Sequence, residues 1–356
     1  MKVAVTGAGG YIGRFVVKTL VDQGHEVVAI DFVHQGIDER AKICDVNIFS
    51  GEPDVYEKMG CPDSVIHLAW KDGFVHNSNA HMDNLSSHYK FLRNLVDAGC
   101  KNISVMGTMH EIGFYEGKID ENTPCNPLSQ YGIAKNALRQ ALLTYTKDKD
   151  VNIFWLRAYY ILGDDKKNNS IFAKLLAAAE AGKKEFPFTT GKAKYDFIQV
   201  DELAKQIVAA STQDKYTGII NVCSGKPVSL GDRVEQFIKE KGLDISLQYG
   251  VVPERPYDSK IEYGDNTIIS KIMENGLAQQ RVADVAAQPN GLAGGTQQLG
   301  DDGGGGGFPV RAGDGDDGTG ADAEKDLHLA GQLRAAGHRR CELRHIGPQA
   351  GGAEDH

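Results

Sequence analysis

Tyr131 and Lys135 stand four residues apart at the start of a stretch with a helical pattern, so their side chains share one face. A phenol beside an ammonium group has its ionised form favoured, which suits it to pass a proton to or from an alcohol or sugar hydroxyl. Taken alone, Tyr-x-x-x-Lys is common on surface helices, and its meaning depends on what precedes it. What precedes it is a strand-like run, Lys2–Val5, followed by Thr6-Gly7-Ala8-Gly9-Gly10-Tyr11-Ile12-Gly13. Glycines there permit a tight turn and let the backbone approach a pyrophosphate, whose charge the following helix N-terminus favours. The spacing is Gly7-x-x-Gly10-x-x-Gly13, and strand, turn, helix and a second strand follow in order, which points to dinucleotide binding. The second strand ends at Asp31. A carboxylate in that place accepts hydrogen bonds from an adenosine ribose and repels a 2′-phosphate; the alternative is an ordinary turn residue. No arginine follows it before Arg40, which favours NAD over NADP.

Elements that could position these groups are legible over the first 160 or so residues. Strands are expected at Lys2–Val5, His25–Ile30, Ser64–Ala69, Asn102–Met106 and Val151–Arg157. Helices are expected near Ile12–Asp22, Asn79–Ala98 and Tyr131–Asp148. Strands alternating with helices imply βαβ units, hence an α/β fold: a Rossmann-type, doubly wound parallel sheet covered on both faces. After about residue 165 the rhythm loosens into helices at Ile171–Ala181, Asp201–Thr212 and Leu230–Lys241 and a strand at Ile219–Cys223. The expected division is an NAD-binding domain over 1–165, receiving part of 194–212, and a smaller substrate lobe over 166–277 that closes on the carboxyl edge of the sheet.

Composition narrows the function classes. A formal charge of −9 with no basic cluster excludes nucleic acid as the expected partner. The six cysteines are scattered without a Cys-x-x-Cys pair, as expected of reduced thiols in a cytoplasmic protein rather than a disulfide framework or zinc site. No apolar run approaches the roughly 20 residues of a membrane-spanning helix, and Met1-Lys2-Val3 leads straight into a strand pattern without a signal peptide. His76, His81 and His88 are spaced by five and seven, which does not give helical metal ligands, so no metal is expected.

Residues 278–356 differ in kind. They are dense in glycine, including Gly303–Gly307; Phe308 stands without any Tyr or Trp; and arginine replaces lysine except at Lys325. So few large apolar side chains cannot offset the entropy of ordering, so disorder is expected. A natural tail is one reading. Foreign or out-of-frame sequence is the other, since GC-rich codons produce this shift to Arg, Gly and Ala.

The chain resembles the NAD-dependent epimerase/dehydratase family of extended short-chain dehydrogenases. The matching pieces are the Gly7–Gly13 turn, His67-Leu68-Ala69, Tyr131-Gly132-x-x-Lys135 and Asp196-Phe197-Ile198-x-Val200-Asp201, across roughly residues 1–277. The resemblance implies NAD as cofactor, held by Gly7, Gly10, Tyr11, Ile12, Gly13, Asp31, Leu68 and Ala69, with Asp45-Val46 at the adenine and Lys135 on the nicotinamide ribose. It places the catalytic Ser/Thr at Thr108, hydrogen-bonded to the reacting oxygen, with Tyr131 as acid and base. Arg255 would grip the diphosphate of a nucleotide-sugar substrate, as a bidentate guanidinium can. Relatives pair through two helices, here Asn79–Ala98 and Tyr131–Asp148, so a homodimer is implied. The closing pattern of the family, an aromatic-x-Pro and a last helix, does not follow Gly276-Leu277; the final helix is expected to be missing and stability to suffer.

Departures from the family bear on the reaction. Dehydratases follow the threonine with Asp-Glu; here stand Met109 and His110, so elimination is not expected, and His110, able to titrate near neutrality, becomes a substrate-site residue. Glu111 is expected to point the other way. Tyr160 replaces a sugar-contacting asparagine, Tyr195 an arginine and Gln199 a histidine. The reaction implied is epimerisation or reduction of a nucleotide-activated sugar. The alternatives are a reductase of a non-nucleotide alcohol or ketone, and a non-catalytic NAD-binding regulator.

Overall fold

The structure, a computed structural model, describes residues 1–163, 170–254 and 259–276. Seven short apolar segments form one parallel sheet: β1 (Lys2–Thr6), β2 (Glu26–Ile30), β3 (Lys42–Ile43), β4 (Ser64–His67), β5 (Asn102–Thr108), β7 (Asn152–Ala158) and β11 (Gly218–Val222). Their spatial order is β11-β7-β5-β4-β1-β2-β3, so the chain winds outward in both directions from β1. The reversal falls between β1 and β4, paired in register from Val3↔Ser64 to Thr6↔His67. Open α/β sheets bind ligands at the carboxyl ends of the strands at such a switch point.

Both faces of the sheet are buried, which is why the strands read as nearly continuous apolar runs rather than alternating ones. Along β1, Val3 and Val5 face one core while Ala4 faces the other. The first core is covered by α1 (Gly13–Asp22) and α7 (Val200–Ser211) through Val16, Leu20, Leu203 and Ile207. Ile269 and Ile272, within helical residues 267–276, add to it. The second is covered by α4 (Leu85–Asp97) and α5 (Gln130–Thr146) through Phe91, Leu92, Leu95, Leu138 and Leu142. Each such side chain removed from water contributes roughly 1.5–3 kcal/mol before ordering costs.

The expected helix Asn79–Ala98 is two pieces, α3 (Ala80–Asp83) and α4, with α2 (Val55–Lys58) packed before them. Asn84 makes the break: it ends α3 and begins α4, and its Nδ2 donates to the Ala80 carbonyl at 2.8 Å. Asparagine competes for backbone groups in this way, which disfavours it inside helices.

A second, smaller sheet has the order β12-β10-β14-β6, from β6 (Gly117–Ile119), β10 (Lys194–Gln199), β12 (Pro227–Ser229) and β14 (Ile261–Gly264), with β8 (Tyr160–Leu162) also pairing with β10. Asp196 explains why an acid opens the second-half motif. Its buried carboxylate accepts from the backbone N–H groups of Ser224, Gly225 and Gly264 and from the Ser224 hydroxyl, at 2.6 to 3.1 Å. A third core, including Phe172, Leu175, Phe188, Val234 and Phe237, joins α6 (Ile171–Glu180) to α8 (Leu230–Lys241), beside the pair β9 (Glu185–Pro187) and β13 (Ser246–Gln248). Among the described residues no helix is long and apolar enough to cross a membrane. The expectations for 278–356, for the missing last helix and for Arg255 lie outside the described residues.

Candidate active site

The glycine turn leaves β1 at its carboxyl end and can be built only with glycine. Gly7 has φ +72°, and a Cβ there would lie 2.6 Å from the Ala69 nitrogen. A Cβ on Gly13 would lie 1.9 Å from the Gly7 carbonyl oxygen, and one on Gly9 2.0 Å from that of Val33. Such contacts are impossible, so the turn is pressed against both neighbouring strand ends. No side chain caps α1, and a bare helix N-terminus at a backbone-lined turn suits a pyrophosphate. Asp31 sits at the tip of β2 with one carboxylate oxygen accepting from Gly9 N–H at 2.9 Å and the other from Val33 N–H at 3.1 Å. Leu68 N–H donates to the Thr6 carbonyl at 3.1 Å, which brings Leu68 and Ala69 to the same edge. Further out, Asp45 is paired with His34 at 3.2 Å, and Val46 packs against the second core. These groups fit a dinucleotide: a crowded glycine cradle, an open helix end and a carboxylate at the tip of the next strand.

Thr108 is the last residue of β5, and Ser129 caps α5 by accepting from Gly132 N–H at 3.2 Å. The two termini bring Thr108 and Tyr131 together, near enough for the Thr108 hydroxyl to favour the ionised phenol. One turn along α5, the buried Lys135 donates from Nζ to the Met106 carbonyl at 2.7 Å. Burial pushes the Tyr131 phenol up to about 12, the nearby Thr108 hydroxyl working against it, and lowers the Lys135 ammonium to about 7. Each group is thus held toward its uncharged form by the water-poor surroundings.

His110 packs against His76, ring centroids 4.3 Å apart, and both rings approach Tyr131, at 6.0 and 5.6 Å. Burial lowers His110 to about 3, so its imidazole is neutral near pH 7 rather than titrating there. Glu111 turns away from the site, as expected. One of its oxygens accepts from Thr108 N–H at 2.8 Å and from Trp155 Nε1–H at 2.9 Å, and the other meets Arg139 at 3.2 Å and Arg157 at 3.7 Å. It closes a capping box around the 3-10 turn Met109–Glu111 and thereby fixes where Thr108 points. Gly107 makes room for this, since a Cβ there would lie 2.3 Å from the Trp155 nitrogen. Tyr160 donates to Glu262 at 2.9 Å, and its ring lies tilted against that of Tyr195, the centroids 4.5 Å apart.

Sequence reasoning did not anticipate a chain of aromatic and imidazole groups beneath Lys135. Thr6 Oγ1 meets His67 Nδ1 at 2.7 Å, His67 Nε2 meets His88 Nδ1 at 2.9 Å, and Trp70 stacks on His88 at 4.3 Å. Trp70 directly follows the recognised His67-Leu68-Ala69, which was the available signal; nothing in spacing pairs β4 with the middle of α4. Among the described residues no cluster of His, Cys, Asp or Glu could hold a metal.

Burial holds His67 well below its ordinary value and His88 near 3. With His110, these groups are neutral when folded and protonate near 6.5 when unfolded, so the unfolded chain binds more protons between those values. Stability is therefore full above about pH 6.5 and falls as the pH drops through that window. Thermal melts should show a lower midpoint at about pH 5 than at about pH 7, before most carboxylates titrate; a flat profile would contradict the burial of these rings.

A family model described as NAD dependent epimerase/dehydratase family matches residues 3–223. The chain is 44% identical over 274 residues, 74% of its own length and 99% of the relative's, to a dTDP-6-deoxy-L-talose 4-dehydrogenase (NAD(+)) of Aggregatibacter actinomycetemcomitans. Similar solved structures include a UDP-N-acetylglucosamine 4-epimerase from Methanobrevibacter ruminantium M1 (TM-score 0.67, 22% identity, 76% of this chain and 91% of that one). A Thermus thermophilus UDP-glucose 4-epimerase complex with NAD has TM-score 0.65 at 20% identity, over 78% and 93% of the two chains. The chain thus belongs to the NAD-dependent epimerase/dehydratase family, and is an enzyme whose cofactor is NAD.

Proposed function

We propose that this enzyme interconverts a hydroxyl and a ketone at C4 of a dTDP-activated 6-deoxyhexose, with Thr108, Tyr131 and Lys135 handling the proton. The observation that carries the reading is that Thr108, at the end of β5, and Tyr131, at the start of α5, come together with Lys135 one turn away, at the edge where the glycine turn ends. The choice of sugar rests on the relative named as a dTDP-6-deoxy-L-talose 4-dehydrogenase. Bound NAD supplies the redox equivalent at that edge.

The residues divide the remaining work. Thr108 Oγ and the Tyr131 phenol both point at the position of the C4 oxygen and orient it. In reduction, Tyr131 gives its proton to that oxygen; in oxidation the phenolate takes the proton back. Lys135 stabilises the phenolate by charge, which makes the buried phenol more acidic and brings its pKa down toward the working pH. Elimination would need an acidic pair after Thr108, and Met109 with a neutral His110 supplies none. His110 lines the substrate side as a neutral hydrogen-bonding wall, with Tyr160 contributing from the smaller sheet.

The purified protein should reduce NAD⁺ when given dTDP-6-deoxy-L-talose, and do so poorly with UDP-hexoses. Inversion at C4 without net NADH would instead establish an epimerase. Cofactor binding with no turnover of any nucleotide sugar or simple ketone would leave the regulator reading.

A further inference from the structure

The cradle of Lys135 has a face as well as a carbonyl. Lys135 Nζ lies 3.7 Å from the centroid of the Trp70 ring while it donates to Met106. The indole is held from two sides. Trp70 Nε1–H donates to His81 Nδ1 at 3.0 Å, and His81 Nε2 meets the Val75 carbonyl at 2.9 Å. A carbonyl can only accept, so Nε2 carries the His81 proton and Nδ1 is left to accept from the indole. On the other side Trp70 stacks on His88 with planes 18° apart, and His88 is tied through His67 to Thr6 on β1. The Tyr131 ring closes the arrangement edge-on at 6.2 Å.

An indole face is the strongest aromatic partner for a cation, and the attraction grows where water is excluded. It also differs from a carboxylate. It attracts the ammonium without supplying a proton acceptor, so it holds the charge near Tyr131 without neutralising it. We infer that Trp70 is a positioning residue: its fixed face keeps Lys135 charged and in place beside the Thr108–Tyr131 pair. Trp70 acts through Lys135, and the inference rests on the proposed role of that lysine.

The other groups that face Lys135 are few. Glu111, across β5, favours its charged form; His67 from β4 and His88 from α4 are held neutral by burial and by Lys135 itself; Tyr131 shares its helix, its ring 5.9 Å from the ammonium. With the histidines neutral, the indole face and the Met106 carbonyl are the close partners that oppose burial.

The test uses the full chain with lysines labelled with carbon-13 at Cε, the Lys135 signal being the one missing from Lys135→Met. In the wild type its Hε protons should be shifted upfield by the indole and show a nuclear Overhauser contact to the Trp70 ring. Trp70→Phe should keep much of that shift, whereas Trp70→Leu, which keeps the apolar cover but removes the face, should lose it. The titration midpoint of the signal should fall by about one pH unit in Trp70→Leu and little in Trp70→Phe. Turnover of dTDP-6-deoxy-L-talose should fall about tenfold in kcat for Trp70→Leu, with most of it recovered in Trp70→Phe. An unshifted Lys135 signal with no ring contact in the wild type would overturn the inference without any variant having to fold. So would equal titration midpoints in wild type and Trp70→Leu. Failure of the underlying reading shows up separately, as a Lys135→Met variant that keeps its turnover while the wild-type ring contact is present.

Discussion

Tyr131→Phe should lower kcat by about 10²- to 10⁴-fold while leaving NADH affinity within about twofold of wild type, because it removes one proton donor and no cofactor-cradle group. The phenylalanine keeps the ring that packs against His76, His81 and Trp70. The melting temperature should therefore hardly change, which separates lost chemistry from lost structure. The loss should appear in both directions of the reaction, since the same phenol gives and takes the proton. A variant with wild-type kcat would show that Thr108 or a water moves the proton instead.

Glu111→Ala should have the largest effect on stability of any single change near the site. Its carboxylate is fully buried and answers two guanidinium groups, Arg139 and the fully buried Arg157, as well as Trp155 Nε1–H and Thr108 N–H. Removing one partner leaves buried charges unanswered, which typically costs about 3–5 kcal/mol. At the sensitivity of a domain of this size, that lowers the melting temperature by roughly 10 °C. Glu111→Gln keeps an acceptor for Thr108 and Trp155 but not the charge, so it should fall between the two. A melting temperature for Glu111→Ala within about 2 °C of wild type would mean the two arginines find other partners.

Most of the large sheet was legible because its strands and helices obey simple periods. β1, β2, β7 and α1, α5, α7, α8 lie within a residue or two of their expected bounds, since buried parallel strands read as apolar runs and amphipathic helices repeat at 3.6. The smaller sheet was not legible. β6, β8, β12 and β14 are three or four residues long, and β12 and β14 are held partly by a distant carboxylate, Asp196, meeting the backbone of Ser224, Gly225 and Gly264. The break at Asn84 was open to reading, as asparagine favours helix ends, but the apolar repeat of Leu85, Leu92 and Leu95 beyond it masked the signal.

The site divides the same way. Gly7, Gly10, Gly13, Asp31, Tyr131 and Lys135 carry local signals: a turn that needs glycine, a carboxylate ending a strand, a pair one helical turn apart. Thr108 needed the family resemblance to be found, and the structure gives it a neighbour in Tyr131. His81 and His88 carry no such signal, and Trp70 only its place after His67-Leu68-Ala69, because their meeting with Lys135 crosses from the loop after β4 to three different helices.

The central claim is that this chain moves a hydride equivalent at C4 of a dTDP-6-deoxyhexose with Tyr131 as the proton donor. The direct measurement is to supply NADH deuterated at the transferring position together with a dTDP-4-keto-6-deoxyhexose and follow the sugar by proton NMR. The account predicts a 4-hydroxy product with deuterium at C4 alone, formed by the wild type and absent with Tyr131→Phe. Deuterium at another carbon, or turnover of the sugar with none incorporated, would contradict it.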